Sequence, residues 1–374
     1  MALYIGVMSG TSLDGIDIAI VDFKQNKTKV VSTETFPFDP DLRNELYKLI
    51  TKGTSNLNQL GQLDMALGYS YSKAINNLLL NAGLNASDIT AIGCHGQTIY
   101  HAPNAQFPFS MQIGNAHVIA EKTGIDTIAD FRQRDVILGG QGAPLVPAFH
   151  QDMFHSDTEN RVIVNIGGIA NITVLQADLS QDVMGFDTGP GNVLIDEWYQ
   201  QHHQDSFYDK NGEWSANGVV DKDLLDRFLT DAFFHQPAPK STGREYFNLV
   251  WLSNHLAAID RPISAQDIQM TLVKLTAITV MDAISYYAPN TDIVYVCGGG
   301  SHNQILMQEL QTCSTSLTVE TTDKLGLAPD AVEACAFAWL AMRTHQHLAG
   351  NLPAVTGASS ASILGAIYPS NIAS

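Results

Sequence analysis

Asp187 ends a short apolar run, Val183–Asp187, and is followed at once by Thr188-Gly-Pro-Gly191. A carboxylate at a strand end beside glycines can project into open space, where it takes a proton or meets a cation. The same residue can instead cap the helix expected after Gly191, a common use of Asp. Three glycine turns offer a second kind of chemistry. They are Gly10-Thr-Ser-Leu-Asp-Gly-Ile-Asp17, Asn165-Ile-Gly-Gly-Ile-Ala-Asn171 and Cys297-Gly-Gly-Gly-Ser-His-Asn303. Small residues let backbone N–H groups approach phosphate oxygens, and the Thr11 and Ser12 hydroxyls add donors. The first turn is neither a Walker A loop nor a dinucleotide loop, because G-x-x-x-x-G-K-[ST] and G-x-G-x-x-G are missing and the residues after it read as strand. Taken alone it reads equally well as a plain hairpin turn. Consecutive glycines in the second and third turns are harder to explain that way, since ordinary turns rarely need them.

Charge narrows the list of ligands. The chain has 38 Asp and Glu against 20 Lys and Arg, net -18. A nucleic-acid surface needs excess cations, and so does docking on anionic lipid. An acidic ligand must therefore be met by backbone N–H groups, a metal ion or a few placed cations. Arg132 and Arg134, in Phe131-Arg-Gln-Arg-Asp135, stand out among those cations. An arginine can hold a carboxylate through two parallel hydrogen bonds, and in an extended segment alternation puts both on one side. The competing reading pairs them with Asp130 or Asp135. His95 and Gln97, in Cys94-His-Gly-Gln-Thr98, can hydrogen-bond a polar ligand, although a lone His after a strand is more often structural. Glu333 falls in the first turn of the last long helix, where an acidic residue is favoured in any case. His202-His203 and His345-x-His347 lack the spacing and carboxylate company of a zinc site, so no dedicated metal site is expected.

These residues sit on an α/β pattern. A length of 374 residues suits two domains, and 45% hydrophobic residues can fill sizeable cores. Leu3–Val7, Ile16–Phe23, Ile89–Cys94, Phe109–Ile113, Ile125–Ala129, Val162–Ile166, Ile169–Leu175 and Ile293–Cys297 read as strands. Helical spacing covers Leu42–Ile50 and Leu57–Leu80, with Leu60, Leu63, Leu67, Tyr71, Ile75 and Leu78 on one face. Further helices are expected from Asn115, through Trp198, over Tyr246–Ile259, over Ser264–Tyr287, over Asn303–Thr312 and from near Pro329. Strand, glycine turn and strand open both halves, a weak internal repeat. The glycine-dense Gly139–Pro144 reads as the crossing between domains. The tail from Asn351 reads as a closing loop or helix. The apolar start has no basic segment before it and reads as a buried strand, and no apolar run approaches the ~20 residues of a membrane span. None of Cys94, Cys297, Cys313 and Cys335 forms a C-x-x-C pair, so neither a zinc site nor a disulfide framework is expected, and a cytoplasmic location is.

Three such loops resemble the actin/hexokinase/Hsp70 ATPase superfamily. Met8–Asp17, Cys94–Thr98, Ala129–Asp135, Gly139–Pro144, Asn165–Asn171, Gly185–Asn192, Lys240-Ser-Thr-Gly-Arg-Glu245 and Cys297–Asn303 together resemble, more closely, the anhydro-N-acetylmuramic acid kinases of bacteria. The resemblance implies a two-domain, ribonuclease H-like ATPase fold with a deep interdomain cleft, divided as 1–132 plus 353–374 and 133–352. It implies ATP and Mg²⁺ as cofactors and a homodimer. It implies ATP-dependent opening of a 1,6-anhydro sugar from peptidoglycan, with O6 phosphorylated and water added at C1. In that chemistry Asp187 is the water-activating base, and Glu333 helps position water and sugar. The phosphates and nucleoside fall to Gly10, Thr11, Ser12, Leu13, Asp14, Gly15, Ile16, Asp17, Gly167, Gly168, Asn171, Gly298, Gly299, Gly300 and Asn303. One of Arg132 and Arg134 takes the lactyl carboxylate, and His95 and Gln97 take sugar groups. Mg²⁺ is expected to arrive on the nucleotide, with Asp14 or Asp187 as a protein ligand. Lys240 and Arg244 belong to the pattern without an assigned role. Two rival readings are a conventional sugar kinase, with Asp187 deprotonating a free hydroxyl, and an ATPase switch of the chaperone or filament kind.

Overall fold

The computed structural model describes residues 2–10, 13–24, 28–203 and 206–371. The chain divides into two compact units, 1–149 with 331–374, and 150–330. Strands in chain order are β1 (Leu3–Met8), β2 (Ile16–Asp22), β3 (Lys29–Phe36), β4 (Ile89–Cys94), β5 (Gln97–Ala102), β6 (Phe109–Ile113), β7 (Thr127–Ala129), β8 (Arg161–Ile166), β9 (Ile169–Leu175), β10 (Met184–Pro190), β11 (Ile293–Cys297), β12 (Thr318–Thr321) and β13 (Ala366–Tyr368).

The first unit has a sheet in the order β13-β7-β4-β1-β2-β3, and the second has β10-β9-β8-β11-β12. In each, the first three strands run antiparallel, and two later strands extend the sheet in parallel from the first, β4 then β7 beside β1 and β11 then β12 beside β8. The duplicated order is the ribonuclease H-like pattern that the sequence resemblance implies. The weak repeat of strand, glycine turn and strand is thus the opening of two similar sheets.

Sequence dictates most of this directly. Every residue of β1 is buried, as a central strand requires. The helix Leu57–Ala82 starts where the Asn56 side chain accepts from the Gln59 amide, and stops at Gly83, which is left-handed at φ 66°. It buries the expected Leu63, Leu67, Tyr71, Ile75 and Leu78. The helix Ala265–Tyr287 is long and apolar enough to cross a membrane, by length and composition, but 72% of its most apolar window is buried in the second unit's core. All four cysteines are free thiols.

Several expectations differ from the structure. The crossing between units falls at 149/150, not at Gly139–Pro144. That stretch is tied into the first unit by the Asp135 carboxylate, which is fully buried. Asp135 accepts from the Gly142 amide, from Asn351 Nδ2 and from Thr356 Oγ1, at 2.7–2.8 Å. These bonds hold 133–149 and 351–356 in one body, so the division differs from the expected boundaries at 132/133 and 352/353. The helix expected over Tyr246–Ile259 covers only Leu249–Leu256, because Asn248 turns its side chain onto the Val250 and Trp251 amides and caps it. The tail returns to the first unit as expected, through the short helix Pro353–Thr356, and adds a strand that was not expected, β13, paired antiparallel with β7.

Candidate active site

Asp187 lies within β10, which runs on through Thr188-Gly-Pro190. The helix Val193–His202 has Asn192 at its N-cap position, so the capping reading of Asp187 falls. Its side chain meets the 240–242 segment instead. Oδ2 accepts from Ser241 Oγ at 2.9 Å and from the Thr242 amide at 3.0 Å, while the Asp187 amide donates to the Lys240 carbonyl. Lys240 fixes that segment: its Nζ donates to the Phe233 and Phe234 carbonyls and sits 4.6 Å from the Phe233 ring centroid. One carboxylate oxygen is thus clamped, and no described residue hydrogen-bonds the other. Burial pushes the Asp187 carboxyl up to about 6, against the lowering effect of the Thr242 and Ser241 donors; the Glu245 charge pushes the same way as burial. A carboxylate so tuned is ionised at neutral pH and still basic enough to take a proton.

The strand register adds neighbours. Asn165, Asn171 and Asp187 are directly paired across β8, β9 and β10, so their side chains share one face of the sheet. Asn171 is an expected site residue; Asn165 is a neighbour that sequence reading misses. Its Oδ1 is buried without a hydrogen-bond partner. The sequence did hold a signal, because two Asn placed symmetrically about a glycine hairpin must pair.

The glycines divide by physical need. Gly298 is left-handed at φ 80°, and a Cβ on Gly300 would strike the Ile166 side chain. At Gly167 and Gly299 an added Cβ would find nothing closer than 3.8 Å and 3.9 Å, and neither has a left-handed φ. Those two have no packing reason to be glycine, and the backbone there is open to close approach. The Gly167 and Gly168 carbonyls accept from the amides of 191–193. Asn303 spends its Oδ1 on the Leu306 amide at 3.1 Å as a helix N-cap.

In the first unit, Thr11 and Ser12 lie outside the described residues. Around them, the Leu13 amide donates to the Gly10 carbonyl at 3.1 Å, and the Leu13 side chain is fully buried at φ 56°. Asp14 is exposed. Gly15 is needed sterically, because a Cβ would come within 2.5 Å of Thr35 Cγ2. Ile16 and Asp17 open β2, where Asp17 accepts from Thr35 Oγ1 at 2.6 Å. Glu333 sits half-buried in the first turn of the helix Val332–His345. Burial pushes it up to about 7; Asp17 adds to that, and Arg132 opposes it.

Arg132 and Arg134 are not on an extended segment. Arg132 stands at the N-cap position of the short helix Gln133–Ile137, and Arg134 is exposed within it. The Arg132 guanidinium donates to His95 Nε2 from Nε and Nη2, at 3.0 Å and 2.9 Å, and to the Gly142 carbonyl at 2.8 Å. Neither Asp130 nor Asp135 pairs with it. Burial and the Arg132 charge hold His95 well below the usual imidazole range, so the ring is a neutral acceptor that aims the guanidinium. Gln97 is fully buried, and its Oε1 accepts from Ser9 Oγ at 3.0 Å; Ser9 in turn lies 2.5 Å from the Tyr71 hydroxyl. A cavity of about 610 Å³ in this unit is lined by His95, Asn115, His117, Asp130 and Tyr368 among others. Among the described residues no group of three or more His, Cys, Asp or Glu is placed to hold a metal ion.

The two units thus carry the candidate residues separately. Asp187 and the Gly167–Gly168 and Gly298–Gly300 turns belong to the second, and Glu333, Arg132 and the 10–17 loop belong to the first. Residues 2–370 match the family model described as anhydro-N-acetylmuramic acid kinase. A protein of that name from Photobacterium profundum is 49% identical over 375 residues, spanning 98% of this chain and 99% of its own. Its namesake from Pasteurella multocida is 49% identical over 367 residues, spanning 98% and 96%. Another from Vibrio vulnificus is 48% identical over 369 residues, spanning 98% of each. A match of that depth over nearly every residue leaves one conclusion: the chain belongs to the anhydro-N-acetylmuramic acid kinase family.

Proposed function

We propose that the chain uses ATP to open 1,6-anhydro-N-acetylmuramic acid and phosphorylate O6, giving N-acetylmuramic acid 6-phosphate and ADP for peptidoglycan recycling. The observation that carries this is the Asp187 carboxyl: one oxygen clamped by Ser241 and Thr242, the other unbonded, and its proton affinity raised toward neutrality. O6 is tied to C1 in an internal acetal, so two events are required. Asp187 takes a proton from water as the water oxygen bonds to C1 and the C1–O6 bond breaks. O6 takes the terminal phosphoryl group of ATP as the bond to the ADP oxygen breaks. The proton then leaves Asp187 for solvent.

Glu333 orients water and sugar, and Arg132, pinned by His95, meets the lactyl carboxylate. The open backbone at Gly167 and Gly299 receives the nucleotide. Mg²⁺ fits a site of this kind: carried mainly by phosphate oxygens and water, it needs one carboxylate, Asp14 or Asp187, rather than a cluster. When bound it neutralises charge on the phosphates. A cytoplasmic homodimer accords with the resemblance. ADP release that depends on added anhydro sugar tests the proposal; ADP release indifferent to the sugar would favour an ATPase switch.

The raised Asp187 carboxyl gives a pH signature. The base must be ionised, so kcat/KM is expected to fall about tenfold per pH unit below an apparent pKa near 6. Glu333 is also raised, so the same limb should persist in the residual activity of Glu333→Gln. A profile flat down to about pH 4.5 would contradict the base assignment.

A further inference from the structure

Arg244 makes no ion pair with any of the described residues. Its guanidinium lies against the Gly167–Gly168 turn: a Cβ on Gly168 would stand 3.3 Å from Nη2 and 3.4 Å from Nε. A side chain at 168 would press on the tip of the guanidinium. Arg244 Nε is buried and has no hydrogen-bond partner. Among the described residues no Asp or Glu oxygen lies within 4.0 Å of the guanidinium; Glu197 is near enough to feel its charge but makes no ion pair. The backbone is held in place, since the Arg244 carbonyl accepts from Asn248 Nδ2 at 3.2 Å. Two and three residues earlier in the same loop, Thr242 and Ser241 clamp Asp187.

A buried guanidinium donor left unpaired is costly, and its planar fork suits an oxyanion. In a chain of net charge -18, a guanidinium with no ion pair among the described residues, set beside a glycine turn, can receive an anion. We propose that Arg244 holds an oxygen of the terminal, transferring phosphoryl group of ATP against the Gly167–Gly168 turn. The inference rests on the ATP-dependent kinase reading above. Arg244 transfers no proton; it supplies charge and hydrogen bonds as charge spreads over the phosphoryl oxygens. Because its loop also clamps Asp187, phosphoryl group and base are set by one segment.

The test titrates wild type, Arg244→Ala and Arg244→Lys with AMP, ADP and a non-hydrolysable ATP analogue, without sugar. Affinity for AMP should stay within about twofold, and that for the analogue should fall by roughly tenfold or more in Arg244→Ala. With sugar present, kcat should fall by about 10²–10³, and added guanidinium ion should restore part of it. Arg244→Gln, which keeps much of the side chain's length but not its charge, should repeat the selective loss if Arg244→Ala folds poorly. Equal losses for AMP, ADP and the analogue would mean a structural role and overturn the proposal. An unchanged analogue affinity with a raised KM for the sugar would overturn it too, assigning Arg244 to a carboxylate. Failure of wild type to release ADP with sugar would defeat the kinase reading, while the nucleotide titration still judges Arg244.

Discussion

Asp187→Asn should lower kcat by roughly 10²–10⁴-fold while leaving the fold and ATP affinity intact. The exchange is nearly isosteric. The amide carbonyl can still accept from Ser241 Oγ and the Thr242 amide, so the clamp on the 240–242 segment survives. The position of Oδ1 is taken by an NH₂ group, which cannot accept a proton. What is lost is the negative charge and, with it, the base. Steady-state turnover with matched thermal melts and ATP titrations checks this, and a variant retaining more than a tenth of wild-type turnover would contradict it.

Gly93→Ala is expected to act on the fold instead. Gly6 and Gly93 are register partners on β1 and β4, and together they make a flat strip under the helix Val332–His345. A Cβ on Gly93 would collide with the Phe337 carbonyl oxygen and come within 2.9 Å of Ala341 Cβ. A Cβ on Gly6 would collide with the Ala334 carbonyl oxygen and approach the Ala338 nitrogen at 2.5 Å. These obstacles are mostly backbone, which cannot swing aside as a side chain can. Overpacking of this kind costs about 3 kcal/mol. For a unit of this size that lowers Tm by roughly 6–12 °C. Glu333 rides on the first turn of the displaced helix, so activity should fall as well. A Gly93→Ala protein with wild-type Tm by calorimetry would show that the helix does not rest on this strip.

The contrast between these glycines shows where sequence reading reaches. The central strands and the long helices were legible, because burial on one or both faces writes an apolar period into them. β3 was not, since its residues alternate between exposed and half-buried and carry Lys, Ser, Thr and Glu. β12 and β13 are too short to show a period. Gly6 and Gly93 gave no signal, because the helix they admit lies far along the chain. The three glycine turns were legible as turns, but only coordinates separate Gly298 and Gly300, fixed by backbone and packing, from Gly167 and Gly299, which are open. Arg132 and Arg134 looked alike in sequence. A short helix starting between them buries one against His95 and exposes the other. Arg244 was recognisable as part of a pattern, and its meaning came from the glycine turn beside it.

The central claim is that water activated by Asp187 is added at C1 as O6 is phosphorylated. Turnover of the anhydro sugar with ATP in ¹⁸O-water, followed by mass spectrometry of the product, tests it most directly. The account predicts one ¹⁸O per sugar phosphate, located at the C1 oxygen, and none in the phosphoryl group. A product phosphorylated at O6 with no label at C1 would contradict it and leave simple transfer to a free hydroxyl.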